Sequence, residues 1–89
     1  MAHVLIHGRV QGVGFRYWLA GEAQSRGLDG WVRNRQDGSV EAVFGGPDEA
    51  VKDMLTVCSI GPRLAKVGQV EMLDDGDDVC EGFEIRPSL

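Results

Sequence analysis

The stretch HGRVQGVGFRY, from His7 to Tyr17, decides how this sequence folds, because it places three glycines and two arginines between an apolar strand and a helix. Gly8, Gly12 and Gly14 let the backbone adopt positive φ or approach a ligand closely, so that successive N–H groups point into one concavity. Arg16 falls near the first turn of the following helix, where free amide donors and the helix dipole favour an anion. The stretch therefore predicts an anion-binding turn; the alternative is a glycine-rich turn that carries a surface arginine.

The common phosphate-binding fingerprints do not fit this turn. The dinucleotide-binding pattern requires a third glycine after Gly12 and Gly14, but Tyr17 occupies that position. A P-loop requires a lysine after its glycines, and this turn contains none. Arg16 is the best candidate for contact with an anion, because its planar fork of donors suits a phosphoryl group in bidentate contact.

Apolar periodicity and turn residues predict an alternation of strands and helices. Gly27 is expected to close the first helix in a left-handed cap, and the Asp37-Gly38 pair is typical of a hairpin. The predicted strands span about His3–Gly8, Trp31–Arg35, Ser39–Gly45, Lys66–Leu73 and Gly82–Arg86, and the helices begin at Phe15 and Pro47. This order predicts an α+β fold of the ferredoxin-like, split βαβ type, an antiparallel sheet with both helices on one face.

Length and charge limit the classes of function. We expect residues 1–89 to form a single domain, and the net charge of −5 argues against a general nucleic-acid binder. Residues 1–36 carry five arginines against two carboxylates, whereas residues 37–89 carry four cations against twelve carboxylates. This asymmetry would draw a small anion toward the glycine turn, although a chance distribution of surface charge explains it nearly as well. The apolar run Val4–Ile6 is too short for a signal peptide or membrane span, so we expect a cytoplasmic protein that binds no membrane. We also expect it to be a monomer.

The histidines, cysteines and clustered carboxylates do not predict a metal or cofactor. His3 and His7 lack partners at a metal-binding spacing, and His7 either lines the turn's pocket or packs. Cys58 and Cys80 are expected to be reduced thiols, with a disulfide between them as the alternative. The acidic run DDGDD, residues 74–78, lacks the spacing of a calcium loop and is expected to be a solvated turn.

Three blocks of the sequence resemble the acylphosphatase family. They are the stretch already quoted, the run GWVRNRQDGSVEAVFGGP from Gly30 to Pro47, and GFEIRP from Gly82 to Pro87. The blocks have the order and spacing of the family signatures, and because they are distributed from His7 to Pro87 the resemblance extends over essentially the whole chain. The resemblance implies a small, free-standing acylphosphatase of ferredoxin-like fold, which hydrolyses the mixed anhydride of a carboxylic acid and phosphate.

The resemblance also implies which residues act. By position, Arg16 matches the family's phosphate-binding arginine and Asn34 its water-orienting asparagine. Backbone amides of the turn would surround the phosphoryl oxygens, and its residues are Gln11, Gly12, Val13, Gly14 and Phe15. The implied reaction is in-line attack of the water on an acyl phosphate without a metal ion. Taken alone, Asn34 also fits a plain turn residue before the hairpin.

Two functions from other classes remain open at this point. An RNA-binding module shares the order of strands and helices, but the aromatic strand signature is missing and the net charge has the wrong sign. A non-catalytic phosphate or carbamoyl-phosphate module is the other alternative. We expect the end of the chain at Leu89 to favour a free-standing enzyme over this second alternative. We also expect Trp18 and Trp31 to pack between helices and sheet.

Overall fold

The structure, a computed structural model, describes residues 1–73 and 81–88. Within these residues five strands and two helices follow one another. Their bounds are β1 Ala2–Arg9, α1 Phe15–Ser25, β2 Asp29–Asn34, β3 Val40–Gly45, α2 Asp48–Ile60, β4 Lys66–Leu73 and β5 Phe83–Ile85. The predicted order is confirmed, and the predicted strand ends differ from the observed ones by no more than about two residues.

A single sheet with the strand order β4-β1-β3-β2-β5 forms the centre of the fold. β3 pairs antiparallel with β1 and β2, and β1 pairs antiparallel with β4. The ferredoxin-like fold is thereby confirmed, but the sheet is mixed, because β5 runs parallel to β2. Gly82 sets this direction: its N–H donates to Asp29 Oδ1 at 2.8 Å, and its carbonyl oxygen accepts from the Gly30 N–H at 3.0 Å.

The main core lies between the helices and one face of the sheet. Alternate strand residues are fully buried there, among them Val4, Ile6, Val40, Ala42 and Phe44. The helices add Phe15, Leu19, Met54 and Cys58 to the same cluster. Cys58 is a free thiol, and burial raises its pKa to about 12. Cys80 and the acidic run 74–78 lie outside the described residues, so their predicted states stay predictions.

The helix ends follow the turn chemistry of the sequence. Gly27 has φ of +68°, and the N–H groups of Gly27 and Leu28 donate to carbonyls of the last turn of α1, each at 3.0 Å. This geometry confirms the predicted left-handed cap. Pro47 precedes the first helical residue of α2 rather than occupying it, because its ψ of 141° is extended.

The sheet face opposite the helices also buries side chains. Trp31 lies there, and not between helix and sheet as predicted, with the guanidinium carbons of Arg33 and Arg86 at 4.9 and 4.7 Å from its ring centroid. Glu41 is buried on the same face, 2.6 Å from His3 Nε2 and 2.8 Å from Arg33 Nε. Burial alone would raise the Glu41 pKa, but the hydrogen bonds with His3 and Arg33 outweigh it and hold that pKa below its usual value of 4.5.

The topology brings the glycine turn and the end of β2 together. β1 and β2 both run antiparallel to β3, which lies between them, so their carboxyl ends meet at one edge of the sheet. The register aligns Ile6 and Asn34 with the same residue, Val40. Residues 10–14 leave β1 at this edge and enter α1. The turn and Asn34 therefore lie side by side.

Candidate active site

A cavity of about 110 Å³ lies between the glycine turn, the start of α1 and the end of β2. Its lining residues are Val10, Gln11, Gly12, Gly14, Phe15, Arg16, Tyr17 and Asn34. This set contains one cation and no carboxylate. The cavity is well below the 300–1,000 Å³ of a typical pocket for a drug-sized ligand, so it suits a small anion.

Gly12 and Gly14 are needed because of their backbone conformation, and not because a side chain at either position would clash. Their φ angles are +74° and +75°, and a Cβ at either position would meet nothing within 4 Å. Gly14 caps α1 without a side-chain hydrogen bond to the first amides of the helix. Those amides stay available at the cavity, together with the positive end of the helix dipole.

Gly8 has a different role from the other two glycines. It lies in β1 beside an irregularity of the pairing with β4, and its φ is +125°. A Cβ on Gly8 would collide with the carbonyl oxygen of Lys66 in β4. This glycine therefore serves the close approach of two strands, and not the anion site to which the sequence assigned it.

Arg16 offers an unpaired guanidinium to the cavity. It is the second residue of α1 and is half-buried. Across residues 1–73 and 81–88, no carboxylate pairs with it, whereas Arg26 bonds Glu22 and Asp53. The Arg16 guanidinium carbon lies 6.0 Å from the centroid of the Tyr17 ring. Its donors are thus open to an anion in the cavity.

Asn34 presents a polar group that the described protein atoms leave unsatisfied. It is the last residue of β2, and its Oδ1 is buried without a hydrogen-bond partner among them. Buried polar atoms are rarely left unpaired, so an orphan of this kind requires a water molecule or a ligand group. Asn34 is one of the residues that line the cavity, and a carboxamide oxygen can accept a hydrogen bond from a bound water.

Gln11 joins the glycine turn to the β2–β3 hairpin. Its Nε2 donates to the carbonyl oxygen of Arg35 at 2.8 Å and to that of Ser39 at 2.9 Å. Both side-chain N–H bonds are used in this way, so the side chain itself holds the hairpin. Gln11 can therefore donate to an anion only through its backbone amide.

The structure brings together six of the seven predicted site residues. Gln11, Gly12, Gly14, Phe15, Arg16 and Asn34 all line the cavity. Val13 does not, because its side chain is partly buried against the core. His7 also lies away from the cavity, with its Nε2 at 2.9 Å from Glu71 of β4. The roles of these residues stay predictions.

Two lining residues were missed by the sequence reasoning. Val10 is 1 % exposed and belongs to the core, so its apolar character was the only available signal. Tyr17 is 71 % exposed. Its position directly after Arg16, in the first turn of α1, could have predicted that it lies at the mouth of the site.

The described part of the chain contains neither a metal-binding cluster nor a helix that could span a membrane. No group of three or more His, Cys, Asp or Glu is arranged there to hold a metal ion. None of its helices has the length and apolar character needed to cross a membrane. The two histidines each face a glutamate instead, Glu41 for His3 and Glu71 for His7.

Comparison with known proteins identifies the family. The sequence model of the acylphosphatase family matches residues 2–85. The chain belongs to the acylphosphatase family. The acylphosphatase of Azorhizobium caulinodans is 61% identical over 88 residues, which cover 98% of this chain and 95% of that protein. Membership makes the chain an enzyme of the acylphosphatase class, whose members hydrolyse acyl phosphates.

Solved structures agree with this assignment. The crystal structure of acylphosphatase from Bacillus subtilis superposes with a TM-score of 0.87 at 36% sequence identity, covering 96% of both chains. The T. kodakarensis HypF structure gives a TM-score of 0.80 at 29% identity, covering 94% of this chain but 11% of HypF. An acylphosphatase-like unit therefore also occurs as a small part of a much larger protein.

Proposed function

We propose that this acylphosphatase cleaves its substrate by in-line attack of a water held by Asn34 on a phosphoryl group bound by Arg16 and the turn amides. The observation that carries the proposal is that two residues line the same small cavity: Arg16, whose guanidinium has no ion-pair partner among the described residues, and Asn34, whose buried Oδ1 has no hydrogen-bond partner among them. The two residues come from different elements, α1 and β2. A cation and a water-binding oxygen at one anion-sized cavity are the minimum that this reaction requires.

Arg16 supplies the charge that the phosphoryl group needs. Phosphoryl transfer is mainly a problem of positioning and of stabilising charge on the three equatorial oxygens. The fork of Arg16 can contact two of these oxygens, and the free amides of residues 11–15 can contact others. Binding of the phosphoryl group does not require Arg16 to break an ion pair, because none of the described carboxylates pairs with it.

Asn34 positions the attacking water but does not remove its proton. A carboxamide is not a strong base, yet its oxygen accepts a hydrogen bond and its NH₂ group donates two. The water oxygen bonds to phosphorus as the bond from phosphorus to the bridging oxygen breaks, and the carboxylate leaves with that electron pair. A phosphoryl oxygen accepts the proton of the water. Because a carboxylate is a weak base, the step needs no general acid.

A second candidate is a non-catalytic phosphate or carbamoyl-phosphate module, which is supported by the likeness to full-length HypF, solved in a phosphate- and nucleotide-bound form. Such a module would use the same Arg16 and turn amides but would not turn over the substrate. An RNA-binding module has no comparable support, because the cavity is enclosed by a turn and a helix and holds a single cation. Turnover therefore separates the two remaining candidates.

Release of inorganic phosphate from benzoyl phosphate, measured with and without EDTA, tests the proposal. We expect equal turnover in both conditions, since the charge is supplied by Arg16 and the turn amides. Binding of inorganic phosphate without hydrolysis would favour the non-catalytic module. Loss of activity in EDTA that a divalent ion restores would contradict the metal-independent reaction. The cytoplasmic location, the monomeric state and the absence of nucleic-acid binding stay predictions.

A further inference from the structure

Tyr17 stands at the mouth of the cavity and does not take part in the proposed chemistry. We propose that it is a specificity residue, which makes this enzyme prefer acyl phosphates with an aromatic or extended apolar acyl group. The inference rests on the proposed function, because it assumes that the phosphoryl group occupies the cavity beside Arg16. It adds the class of acyl group that the site selects.

The size of the cavity determines where the acyl group must lie. About 110 Å³ accommodates a phosphoryl group, whereas sites that enclose a whole organic ligand measure roughly 300–1,000 Å³. The acyl group of a bound substrate therefore extends out of the cavity. It is attached to the phosphoryl group through a single bridging oxygen, so it must lie against the side chains at the mouth.

Tyr17 is the exposed apolar surface at that mouth. Among the lining side chains, Val10 and Phe15 are each 1 % exposed and face the core. Gly12 and Gly14 offer no side chain. Tyr17 is 71 % exposed and lies in the same helical turn as Arg16. An acyl group that leaves the cavity thus has one aromatic ring available to it.

The distance between ring and cation fits this role. The Tyr17 ring centroid lies 6.0 Å from the guanidinium carbon of Arg16, at the limit of a cation–π contact. A phosphoryl group on Arg16 would bring its acyl substituent within reach of the ring. An aromatic acyl group can then stack on Tyr17, whereas an acetyl group is too small to cover it. Ring burial would strengthen binding of the substrate and the transition state alike, so it should appear in KM.

Paired kinetics with benzoyl phosphate and acetyl phosphate test the inference. We would measure kcat and KM for wild type, Tyr17→Ala, Tyr17→Phe and, as a remote control, Leu64→Ala. Leu64 is also exposed, at 70 %, but does not line the cavity. We expect Tyr17→Ala to lower kcat/KM for benzoyl phosphate by roughly three- to tenfold, mainly through KM, and to change acetyl phosphate by less than about twofold. Tyr17→Phe and Leu64→Ala should keep the wild-type ratio of the two substrates.

The outcomes separate this inference from the proposed function. If wild type hydrolyses both substrates and Tyr17→Ala affects them equally, or neither, the specificity role is overturned while the reaction stands. If wild type hydrolyses neither, the proposed function is overturned and the role of Tyr17 with it. The inhibition constant of inorganic phosphate provides a further check, because it should be the same in wild type and Tyr17→Ala. A weakened phosphate inhibition would mean that Tyr17 acts through Arg16 and would overturn the inference.

Discussion

The side-chain nitrogen of Gln11 donates to the carbonyl oxygen of Ser39 at 2.9 Å, and this bond connects the glycine turn to the hairpin that follows β2. The same nitrogen donates to the carbonyl oxygen of Arg35 at 2.8 Å. Arg35 directly follows Asn34, so the two bonds hold the turn amides and the Asn34 side chain in one arrangement. Gln11 thus acts as a positioning residue for two groups that are distant in the sequence.

Replacing Gln11 with alanine should lower turnover and, to a smaller degree, stability. We expect kcat to fall by roughly ten- to a hundredfold, because a misplaced catalytic group loses its alignment with the substrate. The free energy of unfolding should drop by about 1–3 kcal/mol, because two side-chain hydrogen bonds are lost, while each carbonyl oxygen keeps one backbone donor. Steady-state kinetics and urea unfolding measure the two effects. Gln69→Ala, at an exposed position in β4, is the control. A wild-type kcat in Gln11→Ala would show that the two hydrogen bonds from Gln11 to the hairpin are dispensable for catalysis.

Replacing Arg16 with lysine should reduce activity without unfolding the protein. Lysine keeps the charge but lacks the planar fork, so we expect kcat/KM to fall by at least about a hundredfold. Stability should barely change, because Arg16 makes no ion pair with the described residues. Arg63→Lys, at an exposed site outside the cavity, is the matched control. Near wild-type turnover in folded Arg16→Lys would remove Arg16 from the mechanism.

Replacing Asn34 with alanine should separate catalysis from phosphate binding. The asparagine is expected to hold water, while Arg16 and the turn amides hold phosphate. Turnover should therefore fall by about a hundredfold, and inorganic phosphate should inhibit with a similar constant. Inhibition kinetics with both variants make the comparison, because Arg16→Lys should weaken phosphate inhibition as well. A parallel loss of phosphate binding in Asn34→Ala would place its side chain on the anion instead.

The sequence was most informative where local chemistry determines structure. The conformations of Gly12 and Gly14, the cap at Gly27 and the alternation of Val4 and Ile6 depend on neighbours within a few residues. Such features can be predicted because glycine permits positive φ and alternation assigns residues to the two faces of a strand. The local pattern already made Arg16 the candidate for contact with an anion, and the resemblance to a family then supplied the role of Asn34, which taken alone also fits a plain turn residue.

The remaining features depend on contacts between distant parts of the chain. The parallel pairing of β5 with β2 begins beside a hydrogen bond from the Gly82 N–H to Asp29 Oδ1, and these two residues are distant in the sequence. The two hydrogen bonds from the Gln11 side chain form because the hairpin lies beside the turn. Trp31 was misplaced because alternation does not tell which face of a sheet the helices cover, and here arginines cover its ring instead.

Glu41 should make stability depend on pH in the acidic range. Its pKa is lowered in the fold, because hydrogen bonds with His3 and Arg33 outweigh the effect of burial. A carboxyl whose folded pKa lies below its unfolded one stabilises the fold at pH above the unfolded value. That contribution is lost as pH falls from about 4.5 through the lower pKa of the folded state. The free energy of unfolding should therefore decrease over this interval.

Replacing Glu41 with glutamine isolates this contribution from the other carboxylates. At about pH 7 the variant should be less stable than wild type by about 1–3 kcal/mol, because hydrogen bonds to a charged acceptor are lost. The difference should shrink as the pH is lowered below about 4.5, since wild type then loses the same charge. Urea unfolding at several pH values measures both curves, with Glu49→Gln as an exposed control. A difference that stays constant down to about pH 3 would contradict a contribution from the charge of Glu41.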